Sequence, residues 1–449
     1  MWLLLACADP VAPVPPTRPP VAGDDDDDDA HTGTWSEATC RPREVDATRA
    51  DCLADRPATW AWTSAGEAHE LREPSRTATL WGLAPDTETR WTAELGDTLV
   101  RGAFRTPPAP VSFEVVTTGH STVPHVLLNA TCDQAVWVMI TSTDGTLRWL
   151  ASSADSTSGY SWDPPDGVLF AVERATVERM ALDGTRLSSG PFERPIHHDL
   201  AREPGGERLA VINAQVWDWS DGQQYVIDGF YLLDGRGRVV ATWDLEPLLR
   251  GLVPEGPLFY DFWDDEFPGA GDWTHTNNVT WAPDGDLVLS VRYLDLVVKV
   301  AGPDSPEPGA VRWLLAGSGS PLPSDLALSS AVPGGLADFD GQHHATLHDD
   351  GTLTLFDNGP PGRRSRALTF AIDEAARTAV LVQELELPHH CNLIGGTYRM
   401  ADGGSMVTCA DHQRAWEFGP DGVERWSLEV TCPTNRDFNV NHVIPVTLP

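Results

Sequence analysis

From residue 111 onward the chain repeats one local pattern. Short apolar runs close on Asp-Gly or Gly-Gly turns, at Asp144-Gly145, Asp166-Gly167, Asp183-Gly184, Gly205-Gly206, Asp234-Gly235, Asp284-Gly285, Asp350-Gly351, Asp402-Gly403 and Asp421-Gly422. Such dipeptides supply the positive φ angles that tight hairpins demand. The pattern divides into six units starting near His125, Gly159, His197, His275, His343 and His389. Their spacing averages roughly 50 residues, close to the period of propeller blades. Helical heptads are absent, and no apolar run reaches the ~18–20 residues of a membrane span. These features predict an all-β chain with a six-bladed β-propeller over 111–449, its four-stranded blades set around a central channel. Two stacked sandwiches are the alternative, but would not repeat the same local pattern six times.

Residues 33–108 follow another pattern. The stretch Thr77–Leu95 alternates apolar and polar residues on both sides of a turn and resembles a fibronectin type III β-sandwich, with Trp91 in place of the usual Tyr. The chain leaves through Phe104-Arg-Thr-Pro-Pro-Ala-Pro110, a linker composition. Trp60 and Trp62 are expected in the core of this module rather than on a sugar. Ahead of it, Leu4-Leu5-Ala6-Cys7 resembles a bacterial lipobox, so 1–7 reads as a truncated lipoprotein signal and Cys7 as an acylation site. Residues 8–32, with the run Asp24–Asp29, read as a solvated Pro/Asp-rich tether. The expected location is the bacterial cell envelope, lipid-anchored in the outer membrane or periplasmic, with membrane contact only through Cys7.

Lys and Arg total 31 against 66 Asp and Glu, a net charge of −35. A surface this acidic repels phosphate backbones and excludes nucleic acid as a natural partner. Apart from Cys7, six cysteines remain, an even number in an exported chain, with fifteen possible pairings. Cys40 and Cys52 share one module, Cys391 and Cys409 one blade hairpin, and Cys132 and Cys432 the first and last blades. Pairing the last two would staple the ring at its seam. The cysteines lack zinc-ligand spacing. Asp261-Phe-Trp-Asp-Asp-Glu266 gathers oxygen ligands suited to Ca²⁺ but reads more simply as a solvated loop. No Walker A or GxGxxG motif is present, so no cofactor is expected.

Histidine placement is the sharper signal. His197-His198, His343-His344 and His389-His390 each open a unit, and Asp272-Trp-Thr-His275-Thr-Asn277 opens another. His198 precedes Gly206 by 8 residues, His343 precedes Gly351 by 8, and His275 precedes Gly285 by 10. Even separations keep strand side chains on one face. Histidines at one register of successive blades would converge at the channel mouth. For His389 and His390 the register is ambiguous.

Three segments carry a resemblance: His197-His-Asp-Leu with Gly205-Gly206, Asp272-Trp-Thr-His-Thr-Asn-Asn-Val with Ser290-Val-Arg292, and Gln342-His-His-Ala through Asn358-Gly359. Together they resemble the bacterial arylsulfate sulfotransferases, which do without a nucleotide sulfate donor. The resemblance implies a six-bladed propeller of the cell envelope that moves a sulfuryl group from a phenolic sulfate ester to a phenol through a sulfohistidine. It implies His343 as nucleophile, with His198, His275 and Arg292 catalytic. Asn277 is implied to contact substrate, and His197, His344 and His390 are placed beside it in the substrate-binding set. His344 stands where the family often has a small polar residue, which leaves His344 as an alternative nucleophile.

The chemistry suits these side chains on its own terms. A neutral imidazole forms a labile adduct. A departing phenolate, with a solution pKa near ~10, gains from a proton donor. Fixed Arg and His donors offset the charge on sulfuryl oxygens. Arg292 pairing with Asp295 or Asp286 is the competing use of that residue. Two other functions stay open: a non-catalytic propeller holding a glycan or protein partner, and an aryl sulfate hydrolase.

Overall fold

The computed structural model describes residues 38–449 apart from 133–134, 154–158, 164–166, 173, 255–257, 259–260 and 434–439. The Cys7 lipobox, the tether 8–32 and Asp166 of one expected turn lie outside the described residues. The described chain is all-β. Among these residues its helical content is one short helix, Glu246–Leu249, and three 3₁₀ turns, Asp261–Trp263, Arg292–Leu294 and Ala410–His412.

From residue 114 the strands form six mainly antiparallel sheets, two of which add one short parallel edge strand (Gly271–Asp272 and Ala327–Ser330), each begun by a strand labelled here in chain order: β1 (Gly159–Asp163), β2 (Ile196–Arg202), β3 (Thr276–Trp281), β4 (His343–Leu347), β5 (Gly396–Arg399) and β6 (Val443–Val446). Sequence neighbours pair outward from β1 to β5 in each of five sheets. In the sixth sheet, β6 pairs with His125–Cys132, which continues to Ala135–Ser142 and Leu147–Ser153. The labelled strands lie against one another in cyclic order, β1 on β2, β2 on β3 and onward until β6 returns to β1. This is the connectivity that a closed ring of blades requires.

Burial shows why the sheets stack. All five residues of Leu287–Val291 and of Leu296–Val300 are buried, so both faces of that sheet need cover. Leu287, Leu289 and Val291 pack toward Ile212 and Ile227 of the preceding sheet, while Val288 and Val297 pack toward Leu355 and Phe370 of the following one. Alternation along a strand thus feeds two interfaces.

Two expected unit starts shift. His125 begins a second strand, not a first, because the innermost place in its sheet is taken by β6 from the far end of the chain. The His389-His390 pair precedes β5, which begins at Gly396, so both histidines sit in a loop. In exchange, Glu114–Gly119 adds to the outer edge of the β5 sheet. The first and last strands of this six-sheet region thus each pair into a sheet from its opposite end.

The N-terminal module places Ala38–Pro42, Ala50–Ser64, Glu67–Leu80, Glu88–Leu95 and Thr98–Arg105 in one hydrogen-bonded sheet. Irregular pairing between Leu53 and Trp60 bends its longest strand, and the first strand comes to lie against the last. Trp60 and Trp62 are buried core residues. The module docks on the six-sheet body: Arg148 bonds the Ser64 carbonyl and pairs with Glu67, which also meets His125. The disulfides Cys40–Cys52, Cys132–Cys432 and Cys391–Cys409 all form, as expected from the sequence.

Candidate active site

The openings of β2, β3 and β4 meet in one region. Each pairs irregularly with the strand beside it, at Ile196/Leu200, Thr276/Asn278 and His343/Thr346. A histidine with left-handed backbone marks each opening: His198 (φ 55°), His275 (φ 48°) and His344 (φ 51°). That conformation costs a non-glycine residue about 1–2 kcal/mol, and bulges of this kind re-aim side chains. Simple alternation therefore does not describe these positions. Gly159 in β1 lets the backbones close up here, since a Cβ on it would sit 2.0 Å from the His198 carbonyl oxygen.

His343 is buried and fixed through Nδ1, which lies 2.7 Å from Asn358 Oδ1 and 3.1 Å from the Gly341 carbonyl. The Asn358 orientation is set in turn, because its Nδ2 donates to the Cys391 and Ile394 carbonyls, each at 2.8 Å. Both Nδ1 partners are acceptors, so Nδ1 carries the proton and Nε2 keeps its lone pair. Gln342, one residue earlier, donates to Val291 and Leu296 carbonyls and locks the strand's entry.

His198 and His275 stand edge to face, with ring centres 4.6 Å apart. His198 Nδ1 meets His197 Nδ1 at 2.7 Å, and His197 Nε2 lies 3.1 Å from Asp228 Oδ1. His197 is thus a buried support behind His198. His275 Nδ1 bonds Asp272 Oδ2 at 2.5 Å, and its ring stacks on Tyr293 at 4.5 Å. Phe262 covers both histidines, at 5.0 Å from His198 and 5.1 Å from His275, and is backed by Trp263 and the Arg174 guanidinium. The acidic loop carrying these rings leaves Asp264, Asp265 and Glu266 exposed to solvent.

Arg292 opens the 3₁₀ turn after the β3 hairpin. Among the described residues it pairs with neither Asp295 nor Asp286: one Nη donates to the Asn392 carbonyl at 3.1 Å, and Nε is buried with no partner there. Asn277 spends its Nδ2 on the Gln342 carbonyl at 2.9 Å, which ties β3 to β4 beside His343. That bond braces the two strands, while Asn277 Oδ1 has no partner among the described residues. His344 turns the other way, onto the Thr397 carbonyl at 2.8 Å and the Tyr398 ring at 4.1 Å. His390 bonds the Arg363 carbonyl from its loop, while His389 stacks on His412. No contact among the described residues brings His390 to the histidine group; the strand it was expected to open starts six residues later.

Burial dominates the electrostatics. It pushes the His343 and His198 imidazoles well below their ordinary range, and Arg292 and neighbouring histidines push the same way. Their mutual influence also shows that His198, His275, His343 and Arg292 share one electrostatic environment. Burial lowers His344 to about 4 and His442 to about 3. It raises Tyr293 to about 12, helped by the Asp272 charge, and Asp199 to about 7. Burial likewise works against the Asp228 carboxylate, but the His197 charge and the Thr276 and Thr274 hydrogen bonds outweigh it and hold that group low. The site therefore holds an uncharged His343 imidazole beside the Arg292 guanidinium.

A family model described as arylsulfotransferase (ASST) matches residues 116–419, about two thirds of the chain and all of the region that carries this histidine group. The chain belongs to the arylsulfotransferase family. Within the family, it is 27% identical over 322 residues to the arylsulfate sulfotransferase of Escherichia coli and 26% identical over 313 residues to that of Lelliottia amnigena. The alignments cover 56% and 54% of this chain, and it spans about half the length of those relatives, 53% and 51%. A solved structure of a protein of unknown function from Bacteroides caccae overlays with a TM-score of 0.43 at 10% identity, over 72% of this chain and 99% of that one.

Sequence reasoning passed over several residues that build this arylsulfotransferase-family site. Asp272 and Asn358 stood inside the quoted segments but received no role, although each lies at a fixed short distance from its histidine in the chain. Tyr293 follows Arg292 directly. Phe262 lay within a segment read only for its carboxylates. His442 precedes β6 as His275 precedes β3, but its strand joins a sheet more than 300 residues earlier in sequence, and no local repeat points to it.

Proposed function

We propose that the protein transfers a sulfuryl group from a phenolic sulfate ester to a phenol, through a sulfohistidine on His343. The observation that carries this reading is the His343 tautomer: two carbonyl acceptors hold its Nδ1 proton and leave the Nε2 lone pair unused. In the first half-reaction Nε2 attacks sulfur. The sulfur–oxygen bond to the aryl group breaks, and its electron pair goes to the phenol oxygen, which takes a proton from His275. The Asp272 carboxylate steadies the charge that His275 carries before that transfer.

In the second half-reaction an acceptor phenol returns its proton to His275 and attacks sulfur, and the nitrogen–sulfur bond breaks back to His343. Arg292 and His198 offset the charge on the sulfuryl oxygens. When His197 supplies the proton of the shared Nδ1···Nδ1 contact, His198 presents an Nε2–H donor. Phe262 and its supports exclude water, which favours a phenol over hydrolysis.

The same reading takes the ring of six sheets as a six-bladed propeller and the N-terminal sheet as a curled β-sandwich module. Three disulfides and the lipobox-like Leu4–Cys7 support placement in the bacterial envelope, anchored through Cys7 or periplasmic. Incubation with p-nitrophenyl sulfate, with and without added phenol, tests the reaction. Phenol-dependent release of nitrophenolate together with phenyl sulfate is the expected result. Release that ignores phenol would convert the reading to a hydrolase, and no release from any aryl sulfate would remove it.

A further inference from the structure

The loop of residues 387–395 supplies three carbonyls to the site. Those of Cys391 and Ile394 each accept from Asn358 Nδ2 at 2.8 Å, and that of Asn392, between them, accepts from Arg292 at 3.1 Å. One short segment therefore orients the side chain that fixes the His343 proton and also holds the cation beside that imidazole.

Its backbone is strained where the carbonyls are aimed. Ile394 adopts φ 52°, in the left-handed region where a β-branched residue is an outlier. The direction of its carbonyl depends on that angle. Gly395 follows at φ 120°, packed on Phe356 so closely that a Cβ would lie 2.4 Å from the ring. Phe356 is the residue paired with His343 on the neighbouring strand. Such strain persists only where the surroundings over-determine it, and it gathers at functional sites.

The surroundings here are anchors outside the site. Cys391 is bonded to Cys409, and its N–H donates to Ser365 Oγ at 2.8 Å, a hydroxyl that itself donates to the Asn358 carbonyl at 2.7 Å. Asn392 N–H donates to Asp411 Oδ2 at 3.0 Å. Cys409 ends a strand of the β5 sheet, and Asp411 lies in the 3₁₀ turn that follows it. The segment is thus tied outward to the β5 sheet while its carbonyls point inward.

We propose that Ile394 is a positioning residue of the transfer reaction: its left-handed backbone aims the carbonyls of 391–394, so that Asn358 holds His343 as the Nδ1–H tautomer and Arg292 stays beside it. The proposal rests on the sulfuryl-transfer reading. The role belongs to the backbone angle, so substitutions at 394 should sort by conformational preference and not by size or polarity.

Nitrogen-15 spectra of the histidine side chains test this without turnover, the His343 signals being assigned by their loss in His343→Gln. At neutral pH the natural protein should show His343 as a single Nδ1–H tautomer. Ile394→Pro fixes φ at about −65° and should bring in the Nε2–H tautomer. The same variant should lower kcat on p-nitrophenyl sulfate at least about tenfold, the factor for losing one supporting hydrogen bond, with a smaller change in KM. Ile394→Asn, a residue that tolerates the left-handed region, should restore the single tautomer and most of the rate lost in Ile394→Pro. Asp411→Ala, at an exposed position that does not threaten the fold, frees Asn392 and should also bring in the second tautomer. A single Nδ1–H tautomer kept in both Ile394→Pro and Asp411→Ala, or Ile394→Asn as impaired as Ile394→Pro, would overturn the proposal and leave the transfer reading in place. An Nε2–H tautomer in the natural protein would overturn both.

Discussion

Keeping the buried His442 uncharged has a cost that acid should reveal. His442 is 8% exposed, and burial holds its imidazole at about 3 in the folded protein, against about 6.5 in an unfolded chain. Below pH 6.5 the unfolded state binds a proton that the folded state refuses. Folding stability therefore falls as pH falls, from about 6.5 down to about 3, by about 1.4 kcal/mol per pH unit for this one group. Between pH 7.5 and 5.0 the loss from His442 comes to about 2 kcal/mol. Other buried groups titrate in the same interval, and Asp199, raised to about 7, works in the opposite direction. A variant comparison removes them. Urea unfolding of the disulfide-intact protein and of His442→Gln, at both pH values, gives a double difference. The variant should gain about 2 kcal/mol on the natural protein as pH drops from 7.5 to 5.0. A stability difference that is the same at both pH values would show that His442 protonates freely in the folded state, and would refute the desolvation argument.

Three further outcomes test the site and the frame. His343→Ala should abolish turnover rather than raise KM, and donor trapping followed by peptide mass spectrometry should locate the sulfuryl group on His343; an adduct on His344 would reassign the nucleophile. Arg292→Ala should lower kcat by roughly 10²–10³, the range for losing one preorganised donor, with steady-state kinetics on p-nitrophenyl sulfate as the measure. Joint replacement of Cys132 and Cys432 by Ala opens a loop of 300 residues and should destabilise the fold by roughly 5 kcal/mol in the chain-entropy model, read from thermal unfolding.

The fold was legible where local chemistry decides it. Asp-Gly and Gly-Gly turns marked hairpins, and apolar runs such as Leu287–Val291 marked strands with two buried faces. The exchange of strands between the two ends of the six-sheet region was not legible, because pairing Val443–Val446 with His125–Cys132 leaves no trace in either segment alone. The candidate site was legible as a set of residue types but not as a geometry. Counting in twos brought out His198, His275 and His343, yet all three openings are irregular and two of these strands carry a left-handed histidine. His390 was misplaced for a related reason: the loop of residues 387–395, pinned by Cys391–Cys409, stands where a strand was expected. Supporting residues such as Asn358 and Asp272 each meet their histidine through a single hydrogen bond, and composition gives such bonds no signal.

The strand β6 has a consequence for timing. A ribosome must complete residue 446 before the sheet that begins at His125 can receive its innermost strand, and His442 arrives with it. Until then the ring is open along the seam later bridged by Cys132 and Cys432. A nascent chain thus carries His343, His275 and Arg292 before the strand that completes the sheet begun at His125 has been made.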